Sequence, residues 1–321
     1  MPTPRVSISR HLPAELHLPG AEVIANQSER AFTRDELLAF VRGTDILVSW
    51  VSERVDEELL AAAGPNLKAV CNFAVGTDNI DLPACKHRGV VVTNTPDAVT
   101  EGTADMAWVL LLAAARGLIA ADRFARSPEY PARGPLGPSE FVGLDIAGKT
   151  LHVVGAGRIG YAMALRSLGW GMRILYSART PHPAFEFAPL NATRVPLDAG
   201  LAQADYVSLH TPLTPQTRGL INAKNLAIIK PGAVLINTAR GPVVDEQALV
   251  DALKSGRLAA AGLDVFEQEP KIHPDLIGMS NVVLSPHIGS ASRRSRGMMV
   301  ELIRANTIAI LAGQAPPNRV V

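Results

Sequence analysis

The sequence is short of cysteine and of net charge, and each shortage removes a class of function. Only Cys71 and Cys85 occur, fourteen positions apart, with no Cys-x-x-Cys or Cys/His cluster around them. A disulfide framework and a structural zinc site are not expected, and both thiols read as small buried hydrophobes of a protein in a reducing cytoplasm. The 31 Lys+Arg are matched by 30 Asp+Glu, a formal charge of +1, which supplies no global field for gripping nucleic acid or an anionic membrane. A long hydrophobic run is also missing: Met106 to Ala115 covers ten residues and stops at Arg116, whereas a spanning helix needs roughly 18. Met1 to Arg10 lacks the apolar stretch of a signal peptide, so a cytoplasmic location is expected.

What remains is ample core material, 47% hydrophobic against 19% charged over 321 residues, enough for about two domains. Short β-branched runs alternate with helix-like stretches, the pattern of parallel sheets covered by helices. In the first hundred residues the expected strands are 5–9, 22–25, 45–51, 67–72 and 90–94. Helices are expected at 34–41, opened by the capping box Thr33-Arg34-Asp35-Glu36, and at 55–63, ended by Gly64-Pro65. Thr100 begins a long helix expected to run to about Arg126. It is apolar on nearly every face and so should be buried on several sides, between domains or at a subunit contact. Ser127 to Gly148, with four Pro and four Gly, reads as irregular. The alternation restarts with strands at 150–154, 173–177, 206–210, 233–238, 260–266 and 282–285. A last helix, 291–311, is expected to pack back on the first unit.

The segment Val153-Val154-Gly155-Ala156-Gly157-Arg158-Ile159-Gly160 is a G-x-G-x-x-G between a strand and a helix. Its glycines suit a tight turn, close approach of backbone to a pyrophosphate, and close packing of helix on strand, with the helix N-terminus facing the phosphates. An NAD site would carry an acid roughly 20 residues on, at the ribose 2′-hydroxyl. From Gly155 to Phe185 there is none; the second strand ends instead in Tyr176-Ser177-Ala178-Arg179-Thr180. A guanidinium and two hydroxyls suit a 2′-phosphate, so NADP(H) is expected over NAD(H), with Ser177, Arg179 and Thr180 contributing.

Three later segments place polar residues at strand ends: Asn237-Thr238-Ala239-Arg240-Gly241, Gly262-Leu263-Asp264-Val265-Phe266-Glu267-Gln268-Glu269-Pro270, and Ser285-Pro286-His287-Ile288-Gly289-Ser290. In an open α/β sheet these ends form the ligand crevice, where Arg240, Glu269 and His287 can converge.

With the glycine loop, these segments resemble the D-isomer-specific 2-hydroxyacid dehydrogenases. So do Asn72-Phe73-Ala74-Val75-Gly76-Thr77-Asp78-Asn79-Ile80-Asp81, the Asn94-Thr95-Pro96 turn and the helix bearing Thr103. The likeness is greatest to the glyoxylate/hydroxypyruvate reductase branch, through Pro286-His287-Ile288-Gly289-Ser290-Ala291. It implies a Rossmann dinucleotide-binding domain, 99–288, inserted into a smaller flavodoxin-like α/β substrate domain, 1–98 plus 289–321. It implies reduction of a small 2-oxo acid to the D-2-hydroxy acid by hydride transfer, with Arg240 holding the substrate, His287 as acid/base and Glu269 orienting His287.

The resemblance further implies substrate contacts from Val51, Ser52, Val75, Gly76 and Ser290. Along the dinucleotide it implies Thr103, Gly155, Gly157, Arg158, Ile159, Gly160, His210, Pro212, Thr217, Thr238, Ala239, Arg240, Asp264, His287 and Gly289, and it implies a homodimer. Ala178 stands where NAD-using relatives carry their acid, which fits NADP. The linker 127–148 has no Trp, and Tyr130 and Phe141 are its aromatics. Of Arg293, Arg294 and Arg296, one is expected to face the active cleft. The alternatives are a dinucleotide-sensing corepressor on the same scaffold, and an NAD-dependent D-2-hydroxyacid dehydrogenase of other specificity. Glu269 speaks against the formate dehydrogenase branch.

Overall fold

The computed structural model describes residues 3–28 and 30–321. The chain forms two compact units, residues 1–99 with 290–321 and residues 100–289.

The first unit is built on a five-stranded sheet of β1 (Arg5–Ile8), β2 (Glu22–Ala25), β3 (Ile46–Ser49), β4 (Ala69–Asn72) and β5 (Val91–Thr93). All pairings are parallel and the order is β2-β1-β3-β4-β5, the flavodoxin-like arrangement. β3 and β4 are buried along their whole length, as strands covered on both faces must be. The helix Arg34–Phe40 starts at Thr33, whose capping box with Glu36 is complete. The final helix, Arg293–Leu311, packs on β4, and the chain end bridges to β5 through Thr93 and Arg319.

The second unit carries β6 (Thr150–Val154), β7 (Arg173–Ser177), β8 (Thr193–Arg194), β9 (Tyr206–Leu209), β10 (Ala233–Asn237), β11 (Leu258–Leu263) and β12 (Val282–Leu284). Again every pairing is parallel, in the order β12-β11-β10-β9-β6-β7-β8. This is the doubly wound nucleotide-binding topology, and its order reverses between β6 and β9, where the carboxyl ends open a crevice.

The expected single helix from Thr100 to about Arg126 is two helices, Thr100–Ala115 and Leu118–Ala125, bent by 66°. Gly117 between them takes φ +58, a left-handed turn that costs glycine little and ends the first helix. The first helix meets its need for burial within its own unit, against the helix Arg158–Arg166 and against β10 and β11. Trp108 donates its indole N–H to Met163 O at 3.0 Å, and Arg166 pairs with Glu101 and Asp105 on that helix at 2.6 and 2.8 Å. The linker expected to be irregular contains one short helix, Glu129–Arg133. Both cysteines are buried free thiols, and among the described residues no single helix is long and apolar enough to cross a membrane.

Candidate dinucleotide and catalytic site

The β6–β9 reversal opens into a cavity of about 1030 Å³. Its lining includes Gly155 and Gly157 from the glycine loop, Ser177, Arg179 and Thr180 beyond β7, and His210, Pro212 and Thr217 beyond β9. Gly155 has φ +104, and a Cβ there would lie 2.7 Å from the His210 carbonyl carbon, so the two strand ends approach only because the side chain is missing. A Cβ on Gly160 would overlap the Gly155 carbonyl oxygen. Gly157 caps the helix Arg158–Arg166, and nothing lies within 4 Å of where its Cβ would be, which leaves an approach to the helix N-terminus. Arg158 and Ile159 form the first turn.

Polar atoms around this cavity fit a polar guest. His210 is bonded through Nε2 to Ser208 Oγ at 2.8 Å, while its Nδ1 and the Thr211 hydroxyl are buried without a partner. Burial pushes the His210 imidazole well below its ordinary value and keeps it neutral. Thr238, beyond β10, likewise has a buried hydroxyl without a partner. Orphaned buried donors and acceptors are costly, and a dinucleotide with its ribose and amide groups would satisfy them. Two expected ligands are otherwise engaged. The Ser177 hydroxyl donates to Val195 O at 2.8 Å and faces His152 Nε2 at 2.7 Å, so its proton is committed to the fold. The Thr217 hydroxyl donates to Pro212 O at 2.6 Å and accepts the Thr214 N–H at 2.8 Å, shaping the loop beyond β9.

Arg240, Glu269 and His287 come from the loops that follow β10, β11 and β12. His287 Nδ1 and Glu269 Oε2 are 2.8 Å apart, and Glu269 Oε1 accepts the Phe266 N–H at 3.0 Å. Burial alone would raise the Glu269 carboxyl; the His287 hydrogen bond and charge, the Phe266 N–H and the Arg240 charge outweigh it and hold the group below its ordinary value. Glu269 is therefore an anion sensed by both His287 and Arg240. Sequence reading gave Asn237 no role, yet it builds the Arg240 turn: its side chain donates to Arg240 O and accepts the Ala239 N–H, both at 3.0 Å.

Asp264 is only 1% exposed, and its carboxylate is occupied by the loop bearing His287. Oδ1 accepts from Ser285 Oγ (2.6 Å) and Ile288 N (2.9 Å), and Oδ2 accepts from Gly289 N (2.7 Å). Burial raises this carboxyl above its ordinary value against those three donors. The resemblance sets Asp264 along the dinucleotide; in the structure both of its carboxylate oxygens are taken by the loop that bears His287, which it braces. Thr103 sits beside Gly289, its methyl 3.4 Å from where a glycine Cβ would be.

In the first unit, Val51 and Ser52 follow β3, and Val75 and Gly76 follow β4. Asn94 Nδ2 donates to Val75 O at 2.8 Å and Asn72 Nδ2 to Gly76 O at 2.7 Å, which fixes those peptide planes. Glu53, which carried no expectation, is buried between the carboxyl ends of β1 and β3; it accepts from Ser9 Oγ and from Trp50 N (2.9 Å). Of the arginines that open the last helix, Arg296 lies 4.8 Å over the Trp50 ring, and burial lowers its pKa; Arg293 and Arg294 are exposed. Ser290 is half-buried. Tyr130 and Phe141 both pack on Phe124, with ring centroids 5.6 and 5.3 Å away.

Comparison with known proteins agrees with this geometry. Residues 108–289 match the pattern described as D-isomer specific 2-hydroxyacid dehydrogenase, NAD binding domain. A glyoxylate reductase of Thermococcus onnurineus is 49% identical over 99% of this chain and 96% of its own. The TT0316 protein of Thermus thermophilus superposes with a TM-score of 0.90 at 42% identity, covering 99% of this chain and 100% of that one. An NADPH-dependent glyoxylate/hydroxypyruvate reductase of Sinorhizobium meliloti, solved with NADP and malonate, gives a TM-score of 0.82 at 34% identity over 99% and 97% of the two chains. The chain belongs to the D-isomer specific 2-hydroxyacid dehydrogenase family, the nicotinamide-dinucleotide-dependent oxidoreductases whose Rossmann unit its residues 100–289 form.

Proposed function

We propose that this enzyme reduces a small 2-oxo acid, glyoxylate, hydroxypyruvate or a similar acid, to the D-2-hydroxy acid, with NADPH preferred to NADH. The observation that carries the reading is the His287–Glu269 pair with Arg240 beside it, on the carboxyl ends of β10, β11 and β12 of the same sheet whose β6, β7 and β9 ends open the dinucleotide cavity. Two of the three proteins named above are a glyoxylate reductase and an NADPH-dependent glyoxylate/hydroxypyruvate reductase, and the latter was solved with NADP.

When bound, the reduced nicotinamide supplies the hydride that the carbonyl carbon receives. Arg240 offers a planar fork of N–H donors that matches a 2-oxo acid, whose carboxylate and carbonyl oxygens lie in one plane. As negative charge grows on the carbonyl oxygen, His287 donates the proton. Its Nδ1–H is held by Glu269, so the proton leaves from Nε2. Glu269 fixes the ring and the tautomer with the proton on Nδ1, a positioning role. The N–H groups of Val75 and Gly76 serve the substrate carboxylate in the substrate unit, residues 1–99 with 290–321; the Thr95 N–H on Ala74 O and the Asn94 amide on Val75 O hold the two peptides that carry them.

Arg179 at the cavity rim supports the NADPH preference. Among the described lining residues Glu186 is the one acid, and its Oε1 accepts the Tyr176 hydroxyl at 2.5 Å. The test is oxidation of NADPH and, in parallel, NADH across a panel of 2-oxo acids. A higher kcat/KM with NADPH on glyoxylate or hydroxypyruvate is expected. No turnover on any 2-oxo acid would leave a dinucleotide-binding protein, and a clear preference for NADH would reverse the cofactor assignment. A homodimer completes the reading, supported by apolar side chains left exposed on the Rossmann unit.

A further inference from the structure

We infer that Arg194 is a second cation for the cofactor's 2′-phosphate, contacting it alongside Arg179; this rests on the NADPH preference proposed above. Arg194 lies on β8, paired in register with Tyr176 of β7, and so stands beside the strand end where the loop 177–180 begins. Its side chain folds across that loop. Nε and Nη2 donate to Ala178 O at 3.2 and 3.0 Å, and Nη2 donates also to Arg179 O at 2.8 Å. These contacts use the Nε–H and both Nη2 hydrogens, three of the five N–H donors of a guanidinium. The two on Nη1 have no protein partner among the described residues.

Arg194 lines the same cavity as Arg179 and Thr180, and among the described residues neither arginine is paired with a carboxylate. Glu186, the acid in that lining, is bonded to the Tyr176 hydroxyl. Two unpaired cations at one rim repel each other unless an anion joins them. A phosphate monoester brings nearly two charges and three terminal oxygens, enough for both side chains. Clamped on two carbonyls, the Arg194 fork is already ordered, so its Nη1 donors bind with little further loss of side-chain freedom. Sequence reading missed this residue because the register of a two-residue strand is invisible in local pattern.

The experiment measures KM and kcat with NADPH and NADH for the wild type, Arg179→Gln, Arg194→Gln and the double variant. Arg194→Gln is expected to raise the KM for NADPH roughly 10-fold, the effect of losing a charge-assisted hydrogen bond. It should leave kcat at saturating NADPH, and the NADH parameters, within about twofold. It should also weaken NADPH binding further in the Arg179→Gln background. Adenosine 2′,5′-bisphosphate should lose affinity for Arg194→Gln in calorimetry, whereas adenosine 5′-phosphate should not. If Arg194→Gln changes nothing once Arg179 is gone, Arg194 only braces the Arg179 loop and the inference is overturned. Equal losses with NADPH and NADH overturn it as well. A wild type that prefers NADH fails the cofactor reading before any variant is made; a wild type that prefers NADPH, with an unchanged cofactor ratio in Arg194→Gln, fails this inference alone.

Discussion

The backbone N–H of His287 donates to the carbonyl oxygen of Asp264 across 2.8 Å, and the Asp264 carboxylate takes the next two N–H groups, of Ile288 and Gly289. His287 itself has φ +55, a left-handed conformation rare for a residue with a side chain. Such a residue costs on the order of 1–3 kcal/mol and persists only where its surroundings over-determine it. Asp264 supplies that determination from one buried side chain and one carbonyl. In Asp264→Asn the new amide would set N–H donors against the N–H of Gly289 or Ile288. An unsatisfied buried donor costs about 1–3 kcal/mol, so both unfolding free energy and kcat should fall, the latter by roughly 10-fold or more. Denaturant unfolding and steady-state turnover check this, and a variant unchanged in both would dismiss the brace.

His287→Ala should lower kcat by about 10²- to 10⁴-fold, the usual contribution of a positioned acid, with cofactor affinity little changed. Glu269→Gln should cost less, because an amide oxygen still accepts the imidazole N–H while the anion is lost. The Glu269 carboxyl is held below its ordinary 4.5. Its stabilising effect is therefore complete above that value and is lost only as pH falls through the lower value in the folded state. Turnover measured at pH 5 should then still show the full difference between wild type and Glu269→Gln.

Much of this site was legible because the signals were local. The glycine loop and the acid-free stretch to Phe185 can be read within a few residues of sequence, and Arg240, Glu269 and His287 stand in strand-end segments whose likeness to the family supplied their roles. What escaped depends on register or on partners far along the chain. Arg194 reaches the Arg179 loop only because β8 pairs with β7, and Asn237 matters through a turn that closes on itself. Asp264 drew its dinucleotide role from the resemblance alone, and its bracing of the His287 loop was hidden because its three donors lie 21 to 25 positions on. The helix from Thr100 failed at Gly117 for a related reason: an apolar run does not show where the chain turns.

His152 offers a test of stability. It is fully buried on β6, and burial alone pushes its imidazole from 6.5 down to about 4. Between those values the unfolded chain binds a proton that the folded one refuses, so stability falls as pH falls through this window. The shift corresponds to on the order of 3 kcal/mol. Thermal midpoints measured from pH 7 to pH 4 should decline, and the decline should be shallower in His152→Gln. An equal slope in both proteins would remove His152 as a source of acid sensitivity.

The Rossmann unit leaves Val109, Leu118 and Val142 exposed by 56%, 55% and 75%, although each is apolar. Their segments adjoin: the two helices meet at Gly117, Leu144 N–H donates to Ala115 O at 2.8 Å, and Phe141 packs on Phe124. Large apolar side chains left in water on adjoining segments are what an association surface would use. A second copy of the chain covers it in the proposed homodimer, so light scattering should give about twice 34.1 kDa. Val142→Asp and Leu118→Asp change exposed positions that contribute little to the fold of one chain, and burial of a carboxylate against a partner is costly. The double variant should therefore shift to the single-chain mass while keeping its circular dichroism spectrum. A wild type that already runs as a single chain, or a double variant that remains double, would place the subunit contact elsewhere or nowhere.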